Sequence, residues 1–491
     1  MMWTHQPSGS RQQTLTGKNR KQECIMDTVK SLSPFFEPNG IAIVGARSTP
    51  GFGFGLPKNL RDHGWADKTY LVNPNGGTIH GYPVFKTLKE IPAPVDLAVV
   101  LVPAPAVPKV LGEIGEHGIK NTIIMSAGFA EAGEEGKTRQ ARARKIALSY
   151  DMQVIGPNCV GVVNTANAFC TTEVMPEAYT PGKLAVIAQS GVFGQNILER
   201  VNEYGIYVSK AVTLGNRLVT NEIHILDYLH KDPDTDTIAM YLEGSADGEQ
   251  LRHTIVKVTP DKPVIVLKSG RTSEGRAATE SHTGSLSGED NLYDGMFAQT
   301  GAIRAETLDD FTTYCRAFAT QPLPKGNRLG IITGSGSMGA LATDCAIKNG
   351  LTVPPLSKRL MAVMKEGAPD WMNTKNPLDV GPSGLFPRAF NAMMEDPDFD
   401  MILAVIAVPY SAVRFRLTEF TIEDFFFGGT LPLKERKWEK PFMIAVVCHE
   451  DLVSNFRERA EPGTPVFNTP EQPVRALAAL WRYQNWKNNH K

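Results

Sequence analysis

Residues 40–55 read GIAIVGARSTPGFGFG, and this stretch predicts the fold of the first ordered part of the chain. Its first half is a β-branched run that ends in glycine, which is typical of a buried parallel strand. Its second half is a glycine-rich turn, and residues 56–63 continue with a helical pattern. In such a unit the glycines let the backbone approach a ligand, and the helical N–H groups face an anion. The stretch therefore predicts a phosphate-binding strand–turn–helix unit.

The same strand–glycine turn–helix pattern recurs at residues 183–194 (KLAVIAQSGVFG) and 328–339 (RLGIITGSGSMG). Further apolar runs predict strands at residues 70–74, 96–102, 121–125, 152–155, 208–213, 237–242, 263–268, 401–407 and 441–447. Helical patterns lie between several of these runs, and the proline-containing residues 321–327 read as a linker. Alternating strands and helices predict an α/β chain with parallel sheets.

Composition limits the kind of protein. A chain of 491 residues holds about three domains by the usual size of a domain. Lys+Arg 51 against Asp+Glu 52 gives a net charge of −1, so no basic excess points to nucleic acid or to an anionic membrane. Six cysteines without a CxxC pair favour neither a zinc ribbon nor a disulfide framework, and a reducing cytoplasm fits best. No apolar run reaches the ~18–20 residues that span a bilayer, and we expect residues 1–26 to form a disordered tail.

Small, turn-forming segments follow three strands of the first domain, at residues 103–105, 126–128 and 156–159. The carboxyl ends of parallel strands share one edge of a sheet, where ligands bind. Any one segment could be a plain βα turn, but several at one edge favour a nucleotide-like ligand. The turn lacks the GxGxxG spacing and no acid follows the strand at residues 70–74, which argues against an NAD-dependent oxidoreductase.

One histidine lies in a segment rich in glycine and serine, ESHTGSLSG at residues 280–288, which predicts a loop. A histidine in such a loop is either a solvated side chain or a residue that carries a phosphoryl group. Glu243, at the end of a predicted strand, is either solvated or holds the Nδ1–H of that histidine and leaves Nε2 as the nucleophile. The sequence Gln189-Ser190-Gly191 at a helix start would supply N–H groups and the positive end of a helix dipole.

Taken together and in order, these motifs resemble the alpha subunit of NDP-forming acyl-CoA synthetases, the ADP-forming acetate–CoA ligases of the succinyl-CoA synthetase superfamily. The likeness runs from about residue 31 to residue 483. Its motifs are IVGA at 43–46, VNP at 72–74, SAGF at 126–129, GPNCVG at 156–161, QSG at 189–191, YLEG at 241–244, VLKSGR at 266–271, SHTGS at 281–285 and NPLD at 376–379.

The resemblance implies a Rossmann-like CoA-binding domain at residues 27–178. It also implies a flavodoxin-like ligase domain with a phosphohistidine loop at residues 179–322, and a second flavodoxin-like ligase domain at residues 323–491. The implied enzyme is an acid–thiol ligase that converts a carboxylate, CoA and ATP to acyl-CoA, ADP and phosphate. An acyl phosphate and a phosphohistidine would be its intermediates.

The resemblance also assigns residues. His282 would be phosphorylated, Glu243 would orient it, and Gln189, Ser190 and Gly191 would hold the phosphoryl group. The CoA-binding residues would be Gly45, Arg47, Ser48, Thr49, Pro50, Gly51, Asn73, Pro74, Ser126, Ala127, Gly128 and Asn158. No metal ligand is predicted on this chain.

No part of the sequence resembles the ATP-grasp domain of such enzymes, so a separate beta subunit is expected in an α2β2 hetero-oligomer. That subunit would bind most of the ATP/ADP and Mg²⁺, and the substrate would be a small carboxylic acid or its CoA thioester. Neither nucleic acid nor membrane is expected as a partner. Departures from the family pattern at Asn75, residues 217–222 and residues 334–337 keep an alternative open, which is a non-catalytic CoA-binding regulatory or scaffold subunit.

Overall fold

The structure is a computed structural model that describes residues 32–172, 180–283, 288–372, 374–409, 411, 439–459 and 464–490. The predicted tail at residues 1–26 and the phenylalanine-rich stretch at residues 414–438 lie outside the described residues.

The strands are β1 (Ile41–Val44), β2 (Thr69–Val72), β3 (Thr78–Ile79), β4 (Tyr82–Phe85), β5 (Leu97–Val100), β6 (Asn121–Ile124), β7 (Gln153–Ile155), β8 (Val162–Asn164), β9 (Phe169–Cys170), β10 (Leu184–Ala188), β11 (Val208–Thr213), β12 (Thr237–Leu242), β13 (Val264–Lys268), β14 (Ile303–Ala305), β15 (Leu329–Thr333), β16 (Leu378–Asp379), β17 (Met401–Ala407), β18 (Phe442–Val447) and β19 (Val466–Phe467). The α-helices are α1 (Leu56–Asp62), α2 (Val107–Glu116), α3 (Glu134–Ser149), α4 (Gly191–Glu203), α5 (Glu222–Lys231), α6 (Gly248–Val258), α7 (Ser273–Thr283), α8 (Asp290–Thr300), α9 (Leu308–Thr320), α10 (Gly336–Lys348), α11 (Lys358–Lys365), α12 (Phe386–Glu395), α13 (Glu450–Arg459) and α14 (Glu471–Asn489).

The chain divides into two compact units, of which the first comprises Met1–Glu173 and Leu214–Asp232. Its sheet has the strand order β3-β4-β2-β1-β5-β6-β7, and every pair is parallel except β3–β4. The chain leaves β1 first toward β2 and later returns on its other side to β5, which makes the carboxyl end of β1 a switch point. All four residues of β1 are buried, as expected for a central strand that is covered by helices on both faces.

The segment Leu214–Asp232, which follows β11 in the sequence, belongs to this first unit and contains helix α5. Leu218 joins the apolar core beneath β1 and β5, and its carbonyl accepts a hydrogen bond of 3.2 Å from Arg144 Nε. Helix α5 begins with Asn221 as its N-cap, whose side chain accepts N–H bonds from Ile223 and His224. A part of the chain that lies between two strands of the second sheet in sequence thus belongs to the first unit.

The second unit, Val174–Thr213 and Pro233–Lys491, contains two parallel sheets. Within this unit the strand orders are β14-β13-β12-β10-β11 and β16-β15-β17-β18-β19. Helices α9 and α14 pack against each other and carry polar links, among them Arg475 Nε to Asp310 Oδ1 at 2.7 Å. The guanidinium group of Arg316 lies 4.1 Å from the ring of Tyr204 and 4.3 Å from that of Phe467. These contacts join the two sheets into one unit.

The predicted α/β class is confirmed, because β1, β10 and β15 are each followed by a glycine turn and a helix. Residues 321–327 contain no helix or strand, as the linker prediction expects. The loop predicted for residues 280–288 is wrong in its first part, since α7 continues to Thr283 and places His282 in its last turn. Residues 284–287 of that segment lie outside the described residues. Among the described helices, none is both long enough and apolar enough to cross a bilayer.

Candidate active site

At the carboxyl edge of the second sheet, the side chain of Gln189 joins two strands. It follows β10, and its Oε1 accepts the N–H groups of Glu243 at 2.6 Å and Gly244 at 3.2 Å. Its Nε2 donates to the carbonyl of Gly244 at 2.8 Å. Gln189 is 2% exposed and Glu243 is 4% exposed, so these bonds form away from bulk water, where an unmade bond is costly. The carboxamide therefore fixes the backbone that carries Glu243.

The amino end of α4 lies directly after Gln189. Ser190 is the N-cap, with φ −97° and ψ 132°, and its side chain makes no capping hydrogen bond to the helix. The first N–H groups of α4 and the positive end of its dipole are thus available to an anion. The ring of Phe193 stacks on that of Tyr241 with centroids 3.9 Å apart, which holds the first turn of α4 against β12.

Two further polar side chains share this edge. Burial raises the pKa of the Tyr241 hydroxyl, and the charge of Glu243 adds to that shift. Lys268 is the last residue of β13 and is paired in register with Leu242, the residue before Glu243. It is 1% exposed, and burial lowers the pKa of its ammonium group to about 8. The edge thus combines a buried carboxylate, a buried ammonium group and an uncapped helix end.

At the carboxyl edge of the first sheet, side chains bridge the ends of neighbouring strands. Asn73 Nδ2, after β2, donates to the carbonyl of Ala46, after β1, at 3.0 Å. Ser126 Oγ, after β6, donates to the carbonyl of Val102, after β5, at 2.5 Å. The N–H of Asn158, after β7, donates to the carbonyl of Ser126 at 3.0 Å. Residues that the sequence predicts as CoA ligands are thereby brought to one edge, where the hydrogen bonds fix their positions.

The glycine turn after β1 approaches its neighbours more closely than a side chain would allow. Gly45 has φ +89°, and a Cβ added there would lie 2.7 Å from Val102 Cγ1. At Gly51 an added Cβ would lie 2.8 Å from the guanidinium carbon of Arg47. Arg47 and the residues up to Gly51 are exposed. The turn therefore presents backbone and a guanidinium group to solvent above the switch point.

A half-buried polar cluster supports the loop at residues 126–129. Glu131 Oε1 accepts the N–H groups of Gly128 at 2.6 Å and Phe129 at 3.0 Å. Asn216 Nδ2 donates to Glu131 Oε2 at 2.5 Å and to Gln140 Oε1 at 2.9 Å. Burial opposes ionisation of Glu131, but the hydrogen bonds from Asn216, Phe129 and Gly128 outweigh burial and lower the pKa of the carboxyl group. Glu131 and Asn216 shape this edge, although the sequence analysis gave neither of them a role.

Comparison with known proteins identifies the family of this chain. The chain is 36% identical over 455 residues to the alpha subunit of the ADP-forming acetate–CoA ligase II of Pyrococcus furiosus, an alignment that covers 91% of this chain and 97% of the relative. The chain belongs to this family of ADP-forming acyl-CoA ligase alpha subunits. Family models described as a CoA binding domain and as a succinyl-CoA ligase like flavodoxin domain match residues 39–165 and 181–318.

Other members of the family carry other names. A 4-hydroxybutyrate–CoA ligase (ADP-forming) of Nitrosopumilus maritimus is 31% identical, over 92% of this chain and 64% of the relative. Among solved structures, the Ca. Korarchaeum cryptofilum dinucleotide forming acetyl-coenzyme A synthetase 1, in complex with phosphate and ADP, has a TM-score of 0.81 and 27% identity, covering 93% of this chain and 97% of that chain. The predicted family and fold class are thus confirmed.

The structure describes every predicted site residue except the side chain of His282. The CoA set lies along the first sheet, and Gln189, Ser190, Gly191 and Glu243 lie together at the second. The side chain of Gln189 is engaged by the backbone of residues 243 and 244, so it positions the edge, and the backbone of α4 is left for a ligand. Lys268 stands in the family motif VLKSGR, but the motif alone gave it no role.

Replacing Gln189 by leucine tests this positioning. Gln189→Leu keeps the volume and removes three hydrogen bonds at a buried edge, so the free energy of unfolding should fall by about 2–4 kcal/mol. Urea unfolding followed by intrinsic fluorescence measures the change. Gln299→Leu, at an exposed position at the end of α8, is the matched control and should shift it by less than ~0.5 kcal/mol. Equal effects of the two substitutions would contradict the positioning role.

Proposed function

We propose that this chain is the catalytic alpha subunit of an ADP-forming acyl-CoA synthetase in which His282 carries the phosphoryl group. The observation that carries the proposal is the buried Glu243, clamped through Gln189 beside the uncapped amino end of α4. The histidine-bearing helix α7 begins five residues after β13, in the same unit. In a phosphohistidine site the histidine is the nucleophile, a carboxylate orients its imidazole ring, and a helix amino end binds the phosphoryl group.

The proposed reaction has three steps, beginning with the acyl-CoA. Phosphate attacks the thioester carbon of the acyl-CoA, the C–S bond breaks, and CoA leaves as the thiol with an acyl phosphate as the other product. Nε2 of neutral His282 then attacks phosphorus, the bond from phosphorus to the acyl oxygen breaks, and its electron pair leaves with the carboxylate. Glu243 accepts a hydrogen bond from the Nδ1–H group of His282 and stabilises the cationic phosphoimidazole. Finally an ADP oxygen attacks phosphorus and the P–N electron pair returns to the imidazole.

The first unit is the proposed CoA site. Its glycine turn leaves room that a Cβ would fill at Gly45, and the exposed Arg47 offers a guanidinium group to a phosphate. Asn73, Ser126 and Asn158 are fixed along the same edge by the hydrogen bonds described above. These residues fit a pyrophosphate laid across the carboxyl end of β1. We assign the CoA-binding domain to residues 27–178 and the two ligase domains to residues 179–322 and 323–491.

The nucleotide and Mg²⁺ belong, in this proposal, mainly to an ATP-grasp beta subunit in an α2β2 assembly. Support comes from the relatives, which are named as alpha subunits. The five cysteines in the described ranges are free thiols, which fits action in the cytoplasm.

Co-purification with the beta subunit, followed by a reaction with acetyl-CoA, labelled inorganic phosphate and ADP, tests the function. The expected result is ATP formation and, without ADP, acid-labile and base-stable phosphate on this chain. A screen of carboxylic acids for CoA-dependent ADP release then identifies the acyl group. Binding of CoA without any phosphate incorporation, with every acyl-CoA tried, would instead support a regulatory or scaffold subunit and overturn the proposal.

A further inference from the structure

Lys268 is a buried cation without a carboxylate partner at ion-pair distance among the described residues. Its Nζ donates to the carbonyl of Ser269, and the side chain is 1% exposed. Asp290, the acid that most strongly favours the ammonium form of Lys268, accepts bonds of 2.8 Å from Arg304 Nη2. A buried ammonium group normally has an anionic partner, because removal of its hydration shell is expensive.

Tyr293 holds this ammonium group beside the active-site edge. Lys268 Nζ lies 4.9 Å from the centroid of the Tyr293 ring, within the range of a cation–π contact. The hydroxyl of Tyr293 accepts the N–H of Ser245 at 3.0 Å, two residues beyond Glu243. A Cβ added to Gly288 would lie 3.2 Å from Tyr293 Cε2, so the ring also lies close to the residues just before α8. Tyr293 therefore contacts both Lys268 and the segment that follows Glu243.

The electrostatic environment leaves the ammonium group charged but poorly compensated. Burial is the largest influence and favours the neutral amine. Asp290 and Glu243 favour the ammonium form, whereas Arg304 and Arg276 oppose it. With a pKa of about 8, the group is mostly protonated at neutral pH and pays for its dehydration. A dianionic group nearby would relieve that cost.

We propose that Lys268 binds the phosphoryl group that His282 carries, supplying the positive charge opposite Glu243 at the edge between β12 and β13. The inference rests on the proposed function of His282. During attack of Nε2 on the acyl phosphate, negative charge persists on the three equatorial oxygens of the phosphoryl group. The ammonium group attracts those oxygens, while the carboxylate of Glu243 stabilises the imidazole. The two charges thereby bind opposite ends of the phosphohistidine.

Two substitutions at Lys268 and one matched control test this inference in the complex with the beta subunit. Lys268→Met removes the charge at similar length, and Lys268→Arg keeps it. Lys440→Met is the control, because Lys440, just before β18, is a half-buried lysine whose pKa burial likewise lowers to about 8, and its Nζ donates to the carbonyl of Asp396 at 2.7 Å. The readouts are phosphate incorporation from acetyl-CoA and labelled inorganic phosphate, the KM for phosphate, and the alkaline limb of the rate.

Lys268→Met is expected to lower phosphate incorporation roughly 10²-fold, as loss of one preorganised charge donor does elsewhere. Lys268→Arg should recover most of that loss and move the alkaline limb to higher pH, since guanidinium does not deprotonate there. Lys440→Met should incorporate phosphate at the wild-type level. Incorporation within two-fold of wild type in Lys268→Met, with an unmoved alkaline limb, would overturn the inference. A different result, the absence of acid-labile phosphate from the wild-type chain, would contradict the proposed function itself.

Discussion

His282→Asn is expected to lower ATP formation from acyl-CoA, phosphate and ADP by at least about 10³-fold, the scale on which loss of a catalytic nucleophile acts. Asparagine matches the Nδ1 side of the imidazole in hydrogen bonding but has no nitrogen that accepts a phosphoryl group. The acid-labile phosphate on the chain should disappear with it. Formation of acyl phosphate from acyl-CoA and phosphate does not pass through the histidine, and it should stay within a few-fold of wild type. A hydroxamate assay for acyl phosphate, run beside the coupled ATP assay, separates the two steps.

The control for this variant is His253→Asn, which alters an exposed histidine on α6 in the same unit. Its ATP formation should equal that of wild type, so a loss confined to His282→Asn is a loss of chemistry. If His282→Asn retains more than a tenth of the wild-type rate of ATP formation, the phosphoryl group does not pass through this histidine. In that case the inference about Lys268 falls as well, whereas the CoA site of the first unit is unaffected.

Much of the fold could be predicted because its determinants are local. Each of β1, β10 and β15 is a short apolar run followed by glycine, and the helix after it starts within about a dozen residues. Burial on both faces requires such runs, and the close turn requires the glycines. The packing of Leu214–Asp232 on the first unit was beyond prediction, because the choice between two sheets depends on which core Leu218 enters, and the sequence around it does not encode that choice locally.

The segment around His282 shows how a composition argument misplaces a boundary. Glycine and serine dominate residues 284–288, and that composition indicates a loop. Residues 273–283, SEGRAATESHT, combine helix-forming alanine, glutamate and arginine with an acid in the first turn, which favours a helix. Because the predicted loop began at residue 280, it extended four residues into that helix. His282 therefore belongs to the end of α7, directly before the glycine-rich segment.

The sequence predicts which types of residue form the site, but it does not predict which contacts their side chains make. Gln189 was expected to bind phosphate because its motif stands at a helix start, yet its side chain bonds to backbone groups 54 and 55 residues away. Lys268 closes an otherwise apolar strand, and its distinction is the absence of a close carboxylate among its described neighbours, which depends on the tertiary fold. Such partners are set by the order of strands in the sheet, and the chain cannot reveal them before that order is known.

Glu243→Gln is expected to reduce phosphorylation of the chain by roughly 10²–10⁴-fold, the range seen when the carboxylate that orients a catalytic histidine is neutralised. The substitution keeps the shape of the side chain and leaves the backbone bonds to Gln189 in place, since those bonds use the N–H of residue 243. What is lost is the acceptor for Nδ1–H and the negative charge that balances a cationic phosphoimidazole. Acyl phosphate formation should change far less, which the hydroxamate assay measures.

The same variant has a consequence for pH that distinguishes a loss of charge from a loss of folding. The charge of Glu243 raises the pKa of Lys268, so its removal should lower that pKa further below about 8. The ammonium group is then lost at a lower pH, and the alkaline limb of phosphate incorporation should shift toward neutral pH in Glu243→Gln. Asp396→Asn, at a carboxylate that is 2% exposed directly after α12, is the matched control and should leave the limb in place. A reduced rate with an unshifted limb would show that Glu243 and Lys268 do not share one electrostatic site.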